Sequence, residues 1–132
     1  MDLAQYQKDA YFAIQKHESN RDEVLHWAVG LGEESGEVLS VIKHKYFSGD
    51  YDIEDLVTEL GDTLFHIGAL CTANNISLED IAQYNLAKLR YRYPDKEFDF
   101  GRSKNRHQLD GDFRSSDEAK QIMQKIKMEE KR

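Results

Sequence analysis

Two short acidic pairs carry the chemistry that this sequence could do. Glu34-x-x-Glu37 lies in the run GLGEESGEVLSVIKHKY, and Glu59-x-x-Asp62 lies in DLVTELGDTLFHIGAL. Each pair has i, i+3 spacing, so on a helix both carboxylates leave from one face. Glu33 adds a further acid beside the first pair. Like charges this close on one helix repel by about a few tenths of a kcal/mol per pair. Packing two such helices together raises that cost unless a cation sits between them. Oxygen-only ligands suit hard cations such as Mg²⁺, with Mn²⁺ as a substitute. The pattern predicts a carboxylate-lined metal site between two helices. One such pair alone is usually solvated helix surface; two pairs beside apolar stripes and helix glycines make the stronger case.

Those acids need helices to position them. The single proline, Pro94, and the scarcity of alternating apolar patterns predict an all-α chain. A first helix is expected over about Leu3 to Lys16. Asn20-x-x-Glu23 reads as a capping box that opens a second helix, running to about Lys45. FSGDY is a turn, and Asp52 can cap a third helix from Ile53 to about Asn74. Ser77-x-x-Asp80 starts a fourth, which ends before Pro94. Residues 95–114 are polar and aperiodic, and Ser115-x-x-Glu118 can cap a short last helix to about Lys127. The expected architecture is an antiparallel four-helix-type bundle with a short extra C-terminal helix. Residues 1–94 are expected to form the helical domain that carries the acids, and 95–132 a polar C-terminal extension.

Helical periodicity gives the core. Val24, Ala28, Leu31, Val38 and Ile42 form one stripe, and Leu56, Leu60, Leu64, Ile67 and Cys71 another. The acids lie at the side of these stripes. Gly30, Gly32 and Gly36, with Gly61 and Gly68, each cost roughly 1 kcal/mol against Ala inside a helix. Close backbone approach is the expected offset. Asp55, Glu59, Asp62 and His66 share a narrow face, and Trp27 shares one with Glu34 and Glu37.

The composition of the 132 residues bounds the rest. Hydrophobic residues make up 39% and charged residues 33%, which fits one soluble domain at the polar end. No apolar run approaches the roughly 18–20 residues needed to span a bilayer, so no membrane partner is expected. The first residues have neither a basic start nor an apolar stretch, so they do not read as a secretory signal. The lone Cys71 fits a reducing, cytoplasmic setting and a buried packing role. A net charge of −7 argues against a nucleic-acid polymer as partner. Lys88, Arg90, Arg92, Lys96, Arg102, Lys104 and Arg106 nevertheless make one stretch basic. A small phosphorylated ligand, bridged to the acids by metal, reconciles the two halves.

The order Glu-Glu-x-x-Glu, then Glu-x-x-Asp, then Asn85-x-x-Lys88-Leu89-x-x-Arg92-Tyr93-Pro94 resembles the MazG-like nucleotide pyrophosphohydrolases of the all-α NTP pyrophosphatase superfamily. The resemblance covers roughly residues 25–94. It implies Mg²⁺-dependent cleavage of a nucleoside triphosphate to the monophosphate and pyrophosphate. By position it implies Glu34, Glu37, Glu59 and Asp62 as metal ligands, with Glu33 as a ligand or water-activating base. Asn85, Lys88 and Arg92 would face the phosphates or sugar. It also implies a homodimer or homotetramer. No Gly-x-x-x-x-Gly-Lys-Ser/Thr loop is present, which excludes a P-loop mechanism.

Several residues carry two readings. Trp27 could stack on a nucleobase or fill the core. His66 could orient a carboxylate or water near Asp62, or be a structural, partly buried histidine. Tyr84, Tyr91 and Tyr93 read as packing. Within the same superfamily, a dCTP- or dUTP-specific diphosphatase is the close alternative. A non-catalytic helical dimerisation module is the alternative of another class. A di-iron carboxylate protein needs two Glu-x-x-His motifs, and this chain has only Glu23-x-x-His26.

Overall fold

The computed structural model describes residues 1–131. Among them there are α-helices and no strand, as the all-α expectation requires. The chain divides into two compact units, Met1–Asn74 and the segment from Asn75 onward.

In the first unit, Asp2 caps α1 (Leu3–Asp9), its carboxylate accepting from the Gln5 N–H at 2.7 Å. The helix expected to reach Lys16 instead tightens into a 3₁₀ turn over Ala10–Ala13. That turn leads Ile14 into the core, where it meets Trp27, Ala69 and Ala73. The long α2 (Asn20–Phe47) starts one residue earlier than the expected box. Ser19 is its cap, accepting from the Asp22 N–H. Gly49, at φ +77°, makes the turn that follows. Asp52 caps α3 (Ile53–Ala73) as expected, accepting from the Glu54 N–H at 2.8 Å. Packing of α2 on α3 is the principal contact of this unit.

At Gly30 that packing is close. A Cβ there would lie 2.5 Å from the His66 ring, so the glycine makes room for an imidazole. Trp27 meets Phe65 and His66 edge-on, with ring centroids 5.6 Å away in both cases. The apolar stripes are covered only in part. Cys71 is buried, but Leu60 is half exposed and Ala28 lies open. Leu25, Val29 and Leu39 on α2, and Ile53 and Val57 on α3, are more than half exposed.

In the second unit, Asn75 ends the preceding helical run in the left-handed region at φ 53°. α4 (Leu78–Arg92) packs against α6 (Arg106–Arg114) and α7 (Asp117–Glu130); α5 (Phe100–Lys104) precedes α6. Residues 95–114, expected to be irregular, therefore contain two helices. The last helix begins one residue later and runs longer than expected, with Ser116 accepting from the Ala119 N–H. Phe113 is fully buried between Ala87 and Ala119, with Tyr84 and Ile122 packed around them. Ser77 makes no capping bond with its side chain. Asp80 in the first turn is wholly buried instead, and Lys125 of α7 reaches it at 2.5 Å.

Candidate metal centre

Glu34 comes from the middle of α2, and Glu59 and Asp62 come from successive turns of α3. Their i, i+3 spacings and the α2–α3 packing bring them together: one carboxylate oxygen from each lies within 4.8 Å of the others. This is the only group of three or more acids, histidines or cysteines of that closeness among the described residues. Among the described residues, no lysine or arginine forms an ion pair with these carboxylates. The Glu59 carboxyl is consequently held above the usual carboxylate range. Desolvation is the main cause, followed by the charges of Glu37, Glu34, Asp62 and Asp55. An oxygen-only donor set with unrelieved negative charge fits a hard divalent cation, and fits soft, thiolate-preferring metals poorly.

Glu37 lies outside the 4.8 Å set, yet it is the strongest single charge acting on Glu59. The two facts agree if its exposed side chain stands one turn from Glu34, close enough to act electrostatically. Glu33 faces a shallow cleft of about 440 Å³ that Gly30, His26 and His66 also line. His66 supports the acids through the backbone: its Nδ1–H donates to the Asp62 carbonyl at 3.0 Å. The same nitrogen lies 3.9 Å from Glu34 Oε1. Of the two readings of His66, a ring that orients a carboxylate or water near Asp62 and a structural histidine, both find a contact here: it bonds the Asp62 carbonyl and stands near the Glu34 carboxylate.

Trp27 requires a correction. It is 3% exposed and packed in the core, with its Nε1–H buried and lacking a hydrogen-bond partner. In this chain it is a packing residue and presents no open face for a base to stack on. Arg92 likewise has a partner already. Its NH2 group reaches both Asp110 oxygens at 2.6 Å, tying α4 to α6. The hydrogen bond from Arg92 is the main reason the Asp110 carboxyl is held below its usual range. Arg102 in turn donates from Nε to the Arg92 carbonyl. Asn85 is exposed on α4, and Lys88 lines a groove within the second unit. Sequence reasoning missed Asp110, because it lies in a segment without apolar period. It also missed the cations of α7, whose spacing was readable.

The chain is all-α, and it holds a cluster of three acids between two packed helices. The family description of the MazG nucleotide pyrophosphohydrolase domain matches residues 23–96, more than half of the chain. The chain belongs to this family. The matched span takes in α2 from Glu23 onward and the whole of α3 and α4. No curated protein and no solved structure matches the chain.

Proposed function

We propose that this protein is a Mg²⁺-dependent pyrophosphohydrolase that converts a nucleoside triphosphate to its monophosphate and pyrophosphate. The observation that carries the reading is the convergence of Glu34, Glu59 and Asp62 within 4.8 Å, in a chain of the MazG family. A triphosphate and this cluster repel each other, so the two associate only through divalent cations. Such cations, when bound, neutralise phosphate charge and lower the pKa of a bound water.

The chain's own residues do the rest. Glu34, Glu59 and Asp62, joined by Glu37, hold the divalent charge at the α2–α3 contact. The proton that Glu59 retains more readily than an ordinary glutamate is lost when a cation binds, so binding strengthens as pH rises. Glu33, facing the cleft beside the cluster, is the proposed acceptor of the proton from the attacking water. His66 limits the movement of Glu34 by filling the space over Gly30. Water attacks the α-phosphorus, and the bond to the bridging oxygen breaks to release pyrophosphate. Asn85 and Lys88 are the proposed contacts to phosphate or sugar. Arg92 would take that role only on leaving Asp110.

The half-exposed apolar residues of α2 and α3 support a homodimer or homotetramer as the working form. Light scattering should give a mass above the 15.4 kDa of one chain. Hydrolysis in ¹⁸O-labelled water tests the chemistry. Label in the monophosphate, with pyrophosphate as co-product, is the expected result. Label in orthophosphate with accumulating diphosphate rejects it. A panel of triphosphates run with Mg²⁺ separates a broad enzyme from one restricted to dCTP or dUTP.

A further inference from the structure

The second unit carries a groove of about 960 Å³ whose walls reverse the charge of the protein. Lys88 of α4, Arg114 of α6, and Lys120, Lys127 and Lys131 at the other wall face it, against one carboxylate, Asp110. That carboxylate holds Arg92 through two contacts of 2.6 Å, and the charges of Lys88 and Arg114 also act on it, which leaves Lys120, Lys127 and Lys131 as the groove's further cations. None of the groove cations is in an ion pair among the described residues. This concentration stands in a chain of net charge −7. The spacing explains it: residues 120, 127 and 131 fall on one face of a helix, along with Met123, Gln124 and Met128. The floor is apolar, from Tyr84, Ala119 and Met123.

Unpaired cations converging on a concave surface are held against mutual repulsion, and an anion of several charges relieves it. The size suits a small molecule, since ligand pockets run to about 300–1,000 Å³. A nucleic-acid polymer would need a basic track across a surface that is otherwise acidic. We propose that this groove is a binding site for a linear polyphosphate chain, gripped by Lys120, Lys127 and Arg114 without a metal ion. It shares only Lys88 with the hydrolase reading. Its other cations lie beyond residue 96, where the family match ends.

Two sources offer that chemistry: the phosphate tail of a nucleotide, and inorganic tripolyphosphate. Calorimetry on the full chain in EDTA, with an α,β-methylene nucleoside triphosphate and with tripolyphosphate, distinguishes them. Saturable binding that weakens with salt is expected from at least one. Tighter binding of the nucleotide assigns the floor to its base or sugar; equal binding assigns the groove to the chain alone. The K120Q/K127Q double variant, altered only at exposed side chains, should weaken metal-free binding by about tenfold or more. The E34Q/E59Q variant should keep it. Absence of metal-free binding by both ligands, or wild-type affinity in K120Q/K127Q, overturns the proposal. Intact metal-free binding without Mg²⁺-supported turnover would instead count against the hydrolase reading alone.

Discussion

The two units handle charge in opposite ways. From Asn75 onward, acids that enter the packing meet cations: Asp80 meets Lys125, and Asp110 meets Arg92. Before that point, Glu34, Glu59 and Asp62 meet one another. Their nearest basic group is a histidine ring at 3.9 Å from Glu34. Burial does not separate the two: the second unit closes over Phe113 and the first over Trp27, and each leaves large apolar residues open. A fold that pairs its acids elsewhere but leaves these unpaired bears a cost in stability here that a bound cation would offset. Unrelieved repulsion marks the site better than burial does.

The contrast breaks most visibly at Phe113. Phe113→Ala should cost about 3–5 kcal/mol in urea unfolding, the scale for emptying a buried aromatic site. Mn²⁺ affinity, measured by calorimetry under folding conditions, should hold, because the acids belong to the other unit. An equal fall in Mn²⁺ affinity would show that the units do not act separately.

Glu34→Gln inverts that outcome. It should lower kcat by about 10²–10³-fold, the scale for losing one preorganised electrostatic contact. Melting in EDTA should stay level or rise, since a mutual repulsion has been removed. A variant that melts lower in EDTA yet keeps its specific activity would place Glu34 in the scaffold instead.

Gly30→Ala probes the contact beneath the cluster. Its methyl would meet the His66 ring, and the required shift should cost about 1–3 kcal/mol. Gly32→Ala is the control, with open space where its Cβ would stand. It should be neutral or stabilising, by up to about 1 kcal/mol. Similar losses in the two variants would remove any special role for the Gly30–His66 contact.

The smallest effect is on pH dependence without metal. Glu59 has a raised pKa in the fold, so its penalty is full above that raised value. The penalty is relieved as pH falls through it, and is gone below the ordinary value of about 4.3. Asp110 has a lowered pKa, so its contribution is full above the ordinary value of about 3.9. That contribution is lost as pH falls further, through the lowered value. Acidification in EDTA should therefore first stabilise the chain and then destabilise it. Glu59→Gln should flatten the first trend and Asp110→Asn the second, in urea midpoints followed from neutral to acid pH. Unchanged slopes in both variants would refute the assignment.

Much of this was legible in the sequence because it depended on local spacing. The i, i+3 acids, the Asp52 cap and the break at Asn74-Asn75 each need only a few neighbouring residues to be read. Asp110 illustrates what was not legible: its partner stands 18 residues away, and the segment around it has no apolar period. α5 and α6 escaped for the same reason. Both are short and polar overall: Asp99 caps α5, and α6 turns a single residue, Phe113, into the core. Trp27 was ambiguous in principle, since a shared helical face does not say whether the ring points outward or into a neighbouring helix.

One consequence of the Asp80–Lys125 pair concerns how this chain can be shortened. A fragment cut at residue 96, where the family match ends, would keep α4 but discard α7. Asp80 would then lose the ammonium that accompanies it, and Phe113 would leave with the same excision. The apolar side of α4 around Ala87 would be stripped bare, inviting aggregation. A minimal expression fragment drawn by family boundaries should come out insoluble, and one reaching Glu130 should not. The C-terminal helix is thus a condition of handling the catalytic segment at all, an appendage in sequence that has become indispensable to the helix before it.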